Sequence, residues 1–368
     1  MKRTFFVSFA LLLLHAAEAL PWTEQEIVFE SAGDQLWGIL TLPSSPGPHP
    51  AIVIQSGSDR DRQGTTSILY RSHARELAGW GVAALRYDPP GTGRSTRSRA
   101  FESIDDRARE AVAAVRFLRG RREIDPSRVG LWGESQGGWV CGMAAAATDD
   151  VAFIVVMSGA GTSVAEQQVY GVEAQSRAAG LDEQDVARAV LFSRMLVDWS
   201  LSRPMFRQLV EEEARRLGPG PWDDMRDVVY PERPIDAAEG LARGIAVLEE
   251  VADEPWAYAL HLIALQLPAL RRITPDLLPD ARRLAEASLL VDPSDYLTKV
   301  RCPVLAVFGE GDVVLPAAQS ADRWREWLRR AGNQDVTVVV FPNTGHDVSA
   351  SSGYWDLLRD WIRGHAGG

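Results

Sequence analysis

Ser135 stands in Gly133-Glu134-Ser135-Gln136-Gly137, after the apolar, β-prone run Arg128-Val129-Gly130-Leu131-Trp132 and before Gly138-Trp139-Val140-Cys141-Gly142-Met143-Ala144, which favours helix. The pentapeptide alone is a weak signal. Its strand, tight turn and helix make it specific, because they lift a serine hydroxyl onto a sharp corner where a base can reach it. A serine hydroxyl is a poor nucleophile at neutral pH, so the chemistry this setting serves is covalent attack on a carbonyl, with the proton passed to a neighbouring base. Glycine two positions to either side leaves room for so tight a turn.

The chain has six histidines from which to supply that base. His15 lies in the apolar leader, His49 in a proline-rich loop, His73 in a predicted helix, His261 in a long helical stretch and His365 in the C-terminal tail. His346 remains, in Asn343-Thr344-Gly345-His346-Asp347, just beyond a predicted strand ending at Phe341. Open α/β sheets place functional groups in such loops. The base needs an orienting acid. Asp312, in Phe308-Gly309-Glu310-Gly311-Asp312, follows the preceding strand and is the first choice; Glu310 is the substitute, and Asp347 reads as a local turn residue. Two backbone N–H groups are expected to hold an oxyanion: that of Gln136, at the N-terminus of the helix after Ser135, and that of Ser58, in the glycine turn Ser56-Gly57-Ser58.

These residues must be positioned by a sheet. Residues 25–160 alternate strand-like and helix-like segments, which predicts parallel strands with helices on both faces. A hairpin is expected at 26–29 and 36–42, strands at 51–55, 82–87, 128–132 and 152–157, and helices at 67–80 and 104–119. In the second helix Ala108, Ala111, Val112, Val115 and Leu118 fall at helical spacing. From 163 the pattern becomes long Ala-, Leu-, Glu- and Arg-rich stretches without period-2 runs. Strands resume at 302–308 and 336–341, with helices at 317–330 and 354–364. The division is therefore a leader at 1–19, a first sheet part at 20–162, a helical cap inserted at 163–294 and a second sheet part at 295–368. Trp199, Trp222, Tyr230, Trp256 and Tyr258 in the insertion suit either an apolar pocket or the cap's own core, the latter for at least half of them.

The chain resembles the α/β-hydrolase superfamily over about 25–160 and 295–364, on the three motifs above in the order Ser135, Asp312, His346. Arg86-Tyr87-Asp88-Pro89-Pro90-Gly91-Thr92-Gly93-Arg94-Ser95 is similar to that family's strand-loop segment, with Asp88 bracing the loop. Gly38-Ile39-Leu40-Thr41-Leu42-Pro43 and Ser56-Gly57-Ser58-Asp59-Arg60-Asp61-Arg62 resemble exported esterases related to the dienelactone hydrolase and acylaminoacyl-peptidase branches. Many relatives carry histidine where this chain has Ser56. The resemblance implies a mostly parallel sheet with an inserted helical cap. It also implies a cofactor-free serine hydrolase acting on carboxylic esters, or on short peptides. A catalytically inactive ligand-binding protein is the alternative from another class. The charges of Asp59 to Arg62 are expected to pair with one another rather than bind a substrate carboxylate.

Composition narrows the partners. A formal net charge of −11 disfavours nucleic acid and anionic membrane surfaces. Lys2 and Arg3, the apolar run from Phe5 to Leu14 and Ala17-Glu18-Ala19 read as a cleavable export signal, whose apolar core is too short to span a bilayer. Export to the periplasm or medium is therefore expected, with no stable membrane insertion afterwards. No metal-ligand spacing is seen, so no metal is expected. Cys141 and Cys302 are expected to be buried free thiols, with a disulfide between them left open.

Overall fold

The computed structural model describes residues 20–58, 64–98, 102–258, 267–268, 270–274 and 276–366. The expected leader, the charge run at 59–62, His261 and the side chain of Tyr258 lie outside them.

Eight strands form one sheet: β1 Trp22–Ser31, β2 Asp34–Pro43, β3 His49–Gln55, β4 Ala83–Tyr87, β5 Ile124–Glu134, β6 Ile154–Met157, β7 Val304–Gly309 and β8 Val336–Phe341. Their spatial order is β1-β2-β4-β3-β5-β6-β7-β8. The opening hairpin turns at Ala32-Gly33, both at positive φ; β1–β2 and β2–β4 pair antiparallel, and the other five pairings are parallel. β1 is longer than its apolar alternation at 26–29 predicts. Its register with β2 continues out to Trp22 opposite Pro43, held by backbone bonds while the residues from Thr23 to Glu26 are exposed.

Side-chain alternation divides the core between the two faces of the sheet. Val53, Leu85, Leu131, Val156 and Ala306 join one cluster; Ile52, Ile54, Ala84, Trp132, Val155 and Val307 join the other. Helix α1 (Ile68–Gly79) covers the second face through Tyr70, Ala74 and Leu77. Helices α2 (Ile104–Arg119) and α3 (Gln136–Ala147) cover the first. Ser103 and Asp106 close a reciprocal capping box that fixes the start of α2 where the sequence places it.

Helices α4 (Val164–Ala178) and α5 (Glu183–Trp199) open the insertion, and Leu278–Leu289 is its last long helix. Val164, Val169, Val186 and Val190 join the first sheet cluster, whereas Phe192, Met195, Trp222, Tyr230 and Trp256 form a separate core within the insertion. Three of the five aromatics are thus internal packing. Trp199 is half-buried and also lines a cleft of about 320 Å³. The carboxylate of Asp198 braces this unit, accepting Met205 N–H at 2.7 Å and Tyr230 O–H at 2.6 Å.

Two histidines sit differently from expectation. His49 is the first residue of β3 rather than a loop residue, because its N–H pairs with the Glu123 carbonyl. His365 ends the last helix, with Nδ1 on the Trp361 carbonyl and Nε2 3.0 Å from Asp335 Oδ1, so the tail is anchored there. Both cysteines are free thiols; Cys141 is buried and Cys302 half-buried.

Candidate active site

At the end of β5 the backbone of Ser135 adopts φ 53° and ψ −118°, a conformation that L-residues rarely hold. The glycines explain how it is reached. A Cβ on Gly133 would lie 2.5 Å from the Gly137 carbonyl carbon, and one on Gly137 would lie 2.6 Å from the Gln55 carbonyl oxygen. Strand, turn and helix can close this tightly only without those side chains. The turn also carries α3 against the end of β3, beside the Ser56-Gly57-Ser58 loop.

Asp312 and His346 come together from the loops after β7 and β8. His346 Nδ1 lies 2.7 Å from Asp312 Oδ2, and Asp312 Oδ1 accepts Val314 N–H at 2.7 Å and Leu315 N–H at 3.2 Å. The Asp312 carboxylate is therefore fully engaged and buried. Gly309 lets the two loops meet: a Cβ there would run into the carbonyls of Gly345 and Thr344. Of the alternatives, Glu310 accepts Asn343 N–H at 3.2 Å and Asp347 accepts Ser349 N–H and O–H in a local turn. Neither occupies the place of Asp312 on the ring.

β6 ties Ser135 to the His346 loop. Ser135 N–H donates to the Met157 carbonyl at 2.9 Å, and the next residue, Ser158, donates its hydroxyl to the His346 carbonyl at 2.7 Å. Ser158 is fully buried with φ 52°. The Ser135 hydroxyl makes no hydrogen bond to the ring among the described residues. Such loose contacts are usual before substrate arrives. The other ring nitrogen, Nε2, lies 3.6 Å from Glu134 Oε1. Burial would lower the His346 pKa, but the Asp312 hydrogen bond and charge, with the Glu134 and Asp347 carboxylates, outweigh it and raise the pKa above the ordinary histidine value. His73, by contrast, is buried with its pKa lowered to about 4, chiefly by desolvation, and bonds Leu69 and Tyr354 as a structural residue.

The candidate oxyanion donors differ in state. Gln136 is the first residue of α3, and its N–H makes no hydrogen bond among the described residues, as expected at a helix start. In the loop, Gly57 N–H is taken by Tyr70 Oη at 2.8 Å, whereas the N–H of the exposed Ser58 makes no hydrogen bond among the described residues. Ser58 thus remains the available loop donor. A buried arginine braces this loop. Arg107 donates to the Ser56 carbonyl, to Ser56 Oγ at 3.1 Å, to the Gly57 carbonyl at 3.3 Å and to the Gln136 side chain. Asp88 accepts Thr65 N–H at 3.1 Å and Thr65 O–H at 2.6 Å, the loop-bracing role expected of it.

Arg107, Tyr70, Ser158 and Glu134 were assigned no role from sequence. Arg107 carried a signal: it falls on the stripe of α2 that also holds Ala111 and Leu118, and a charged residue on a buried stripe needs partners. Tyr70 and Ser158 carried none.

The sheet order, the corner at Ser135 and the meeting of the last two loops define an α/β-hydrolase architecture. The family model described as alpha/beta hydrolase fold matches residues 66–351, and the chain belongs to that family. Among curated relatives, an uncharacterized Mycobacterium tuberculosis protein is 28% identical over 33% of this chain and 41% of its own length. A thiohydrolase of Arthrinium phaeospermum is 31% identical over 32% of this chain and 37% of its own. These alignments thus span well under half of each relative. Among solved structures, an α/β-hydrolase from Penicillium sp. sh18 aligns with 94% of this chain and all of its own (TM-score 0.56, 18% identity). A Pyrococcus furiosus esterase aligns over 95% and 93% (0.54, 13%), and the proline iminopeptidase of Mycobacterium smegmatis over 93% and 99% (0.53, 16%). Identities this low speak to fold alone.

Proposed function

We propose that this member of the α/β-hydrolase family is a hydrolase that cleaves carboxylic esters through an acyl-enzyme on Ser135. The observation that carries the reading is the 2.7 Å contact of His346 with a buried Asp312 that has its second oxygen on two backbone donors, beside a serine at φ 53°. His346 Nε2 takes the Ser135 proton as Oγ attacks the carbonyl carbon. Asp312 keeps the other ring proton on Nδ1 and favours the imidazolium. The N–H groups of Gln136 and Ser58 receive the developing oxyanion, with the positive end of α3 behind the first. The imidazolium then protonates the leaving alkoxide, and water repeats the sequence to release the acid.

The same groups would cleave thioesters or amides, and the thiohydrolase and iminopeptidase among the similar proteins make those bonds the natural comparison substrates. We also propose export with cleavage after Ala19, on the sequence pattern alone. The test is labelling with a fluorophosphonate and peptide mapping, beside hydrolysis of p-nitrophenyl acetate, a thioester and a peptide anilide by wild type and Ser135→Ala. Label on Ser135, loss of turnover in the variant and preference for the oxyester are expected. An unlabelled wild type, or a variant that hydrolyses equally well, would leave the chain a ligand-binding member of the fold.

A further inference from the structure

Glu134, the residue before the nucleophile, has no part in the mechanism above, yet its carboxylate faces the working edge of the base. Its Oε1 lies 3.6 Å from His346 Nε2, the nitrogen that must take and return the Ser135 proton. Its other oxygen accepts Tyr70 O–H at 3.1 Å. Tyr70 is 1% exposed, and its oxygen also accepts Gly57 N–H at 2.8 Å. One phenol thus joins the carboxylate behind the base to the loop that supplies an oxyanion donor.

Among the described residues, the other charged groups near the ring are each held by contacts of their own. Asp312 holds Nδ1 from the loop after β7, and Asp347 neighbours it in the chain with its carboxylate turned to Ser349. Glu310 is on Asn343 N–H, and Tyr170 of α4 touches the Asp312 carbonyl rather than the ring. The Arg107 guanidinium is directed to Ser56, Gly57 and Gln136. A carboxylate beside each ring nitrogen favours the imidazolium that forms as Ser135 attacks, and disfavours the neutral ring needed to begin.

Resting on the serine-hydrolase reading, we propose that Glu134 is a second positioning carboxylate for His346, locked through Tyr70 to the Gly57 turn, so that one network holds both the imidazolium and the oxyanion loop. Glu134 neither gives nor receives a proton. The Ser135 proton goes to His346 Nε2 as the Oγ–C bond forms, and from there to the leaving alkoxide.

The rate of fluorophosphonate labelling of Ser135, measured against pH on the full mature chain, tests this without knowledge of the substrate. For Glu134→Gln the acidic limb moves down by about one pH unit, because the neutral ring persists to lower pH, while the plateau falls about tenfold as the imidazolium loses a counter-charge. Glu134→Asp keeps the charge and holds its limb closer to wild type. Tyr70→Phe leaves the charge in place, so its plateau falls with little movement of the limb. A Glu134→Gln limb coinciding with wild type in a folded protein overturns the proposal. So does an equal shift in the Gln and Asp variants. If the Gln variant does not fold, a Tyr70→Phe plateau equal to wild type overturns it instead. Wild type that takes no label at any pH overturns the serine-hydrolase reading itself, a separate outcome.

Discussion

Replacing Arg107 by methionine keeps much of the buried stem volume and removes the guanidinium. Four acceptors then lose their donor: the Ser56 and Gly57 carbonyls, Ser56 Oγ and the Gln136 side chain. A hydrogen bond to a charged group contributes roughly 1.5–3 kcal/mol, and an unsatisfied buried carbonyl costs about 1–3 kcal/mol, so the loop cannot keep its pose unchanged. The catalytic share is bounded by the worth of one oxyanion donor, about 2.7–4 kcal/mol or 10²–10³ in kcat. With the Gln136 donor left in place on α3, we expect kcat to fall about 10²-fold toward p-nitrophenyl acetate, with kcat/KM falling in step because the lost contact belongs to the transition state. Arg107→Lys restores charge but not the forked geometry and should fall between the two. The assay is steady-state hydrolysis beside circular dichroism melting, with Ser135 labelling to count active sites. A folded Arg107→Met protein with kcat within about threefold of wild type would show that the loop is not held by this residue, and the reasoning fails.

Gly309→Ala should displace the His346 loop, since the new methyl meets the Gly345 and Thr344 carbonyls; with the base misplaced by about 1 Å, kcat should drop about 10²-fold in a protein that still melts cooperatively, and unchanged kcat would count against the packing argument. Glu110, buried on α2, has its carboxyl pKa held well above the ordinary range, first by desolvation and then by the charge and hydrogen bond of Glu102. The folded chain there keeps a proton that the unfolded chain releases, so stability should decline as pH rises from the ordinary glutamate range toward the raised value, by at most about 1.4 kcal/mol per pH unit. Glu110→Gln, which mimics the protonated group, should flatten the melting-temperature profile between pH 5 and 8; identical wild-type and variant profiles would refute the assignment.

What could be read from the sequence follows physical scale. Continuous β-prone apolar runs such as 51–55 report burial on two sheet faces, and β3, β4 and β8 lie where such β-prone runs fall. The boundaries of α2 were legible because Ser103 and Asp106 satisfy the first-turn donors locally. Ser135, Asp312 and His346 were legible because a strained turn and two strand-end loops leave local composition marks. Tyr70 and Ser158 were not, since their roles arise from contacts across 64 and 188 positions of sequence, with Glu134 and His346 respectively. Arg107 lay between: its placement on a buried stripe was visible, its partners were not.

The attachment of α4 bears on how this chain can be redesigned. Tyr170 O–H donates to the Asp312 carbonyl at 3.2 Å, Gln167 donates to the Val314 carbonyl at 2.6 Å, and Glu166 pairs with Arg323 at 3.1 Å. The first helix of the insertion is therefore part of the mounting of the acid loop, although by sequence it belongs to the inserted module. A chimera that exchanges the module at its sequence boundary would cut these anchors and inherit a loosened acid whatever substrate the donor cap prefers. Seams placed after Ala178 would let the rest of the insertion be swapped while the mounting stays with its own sheet.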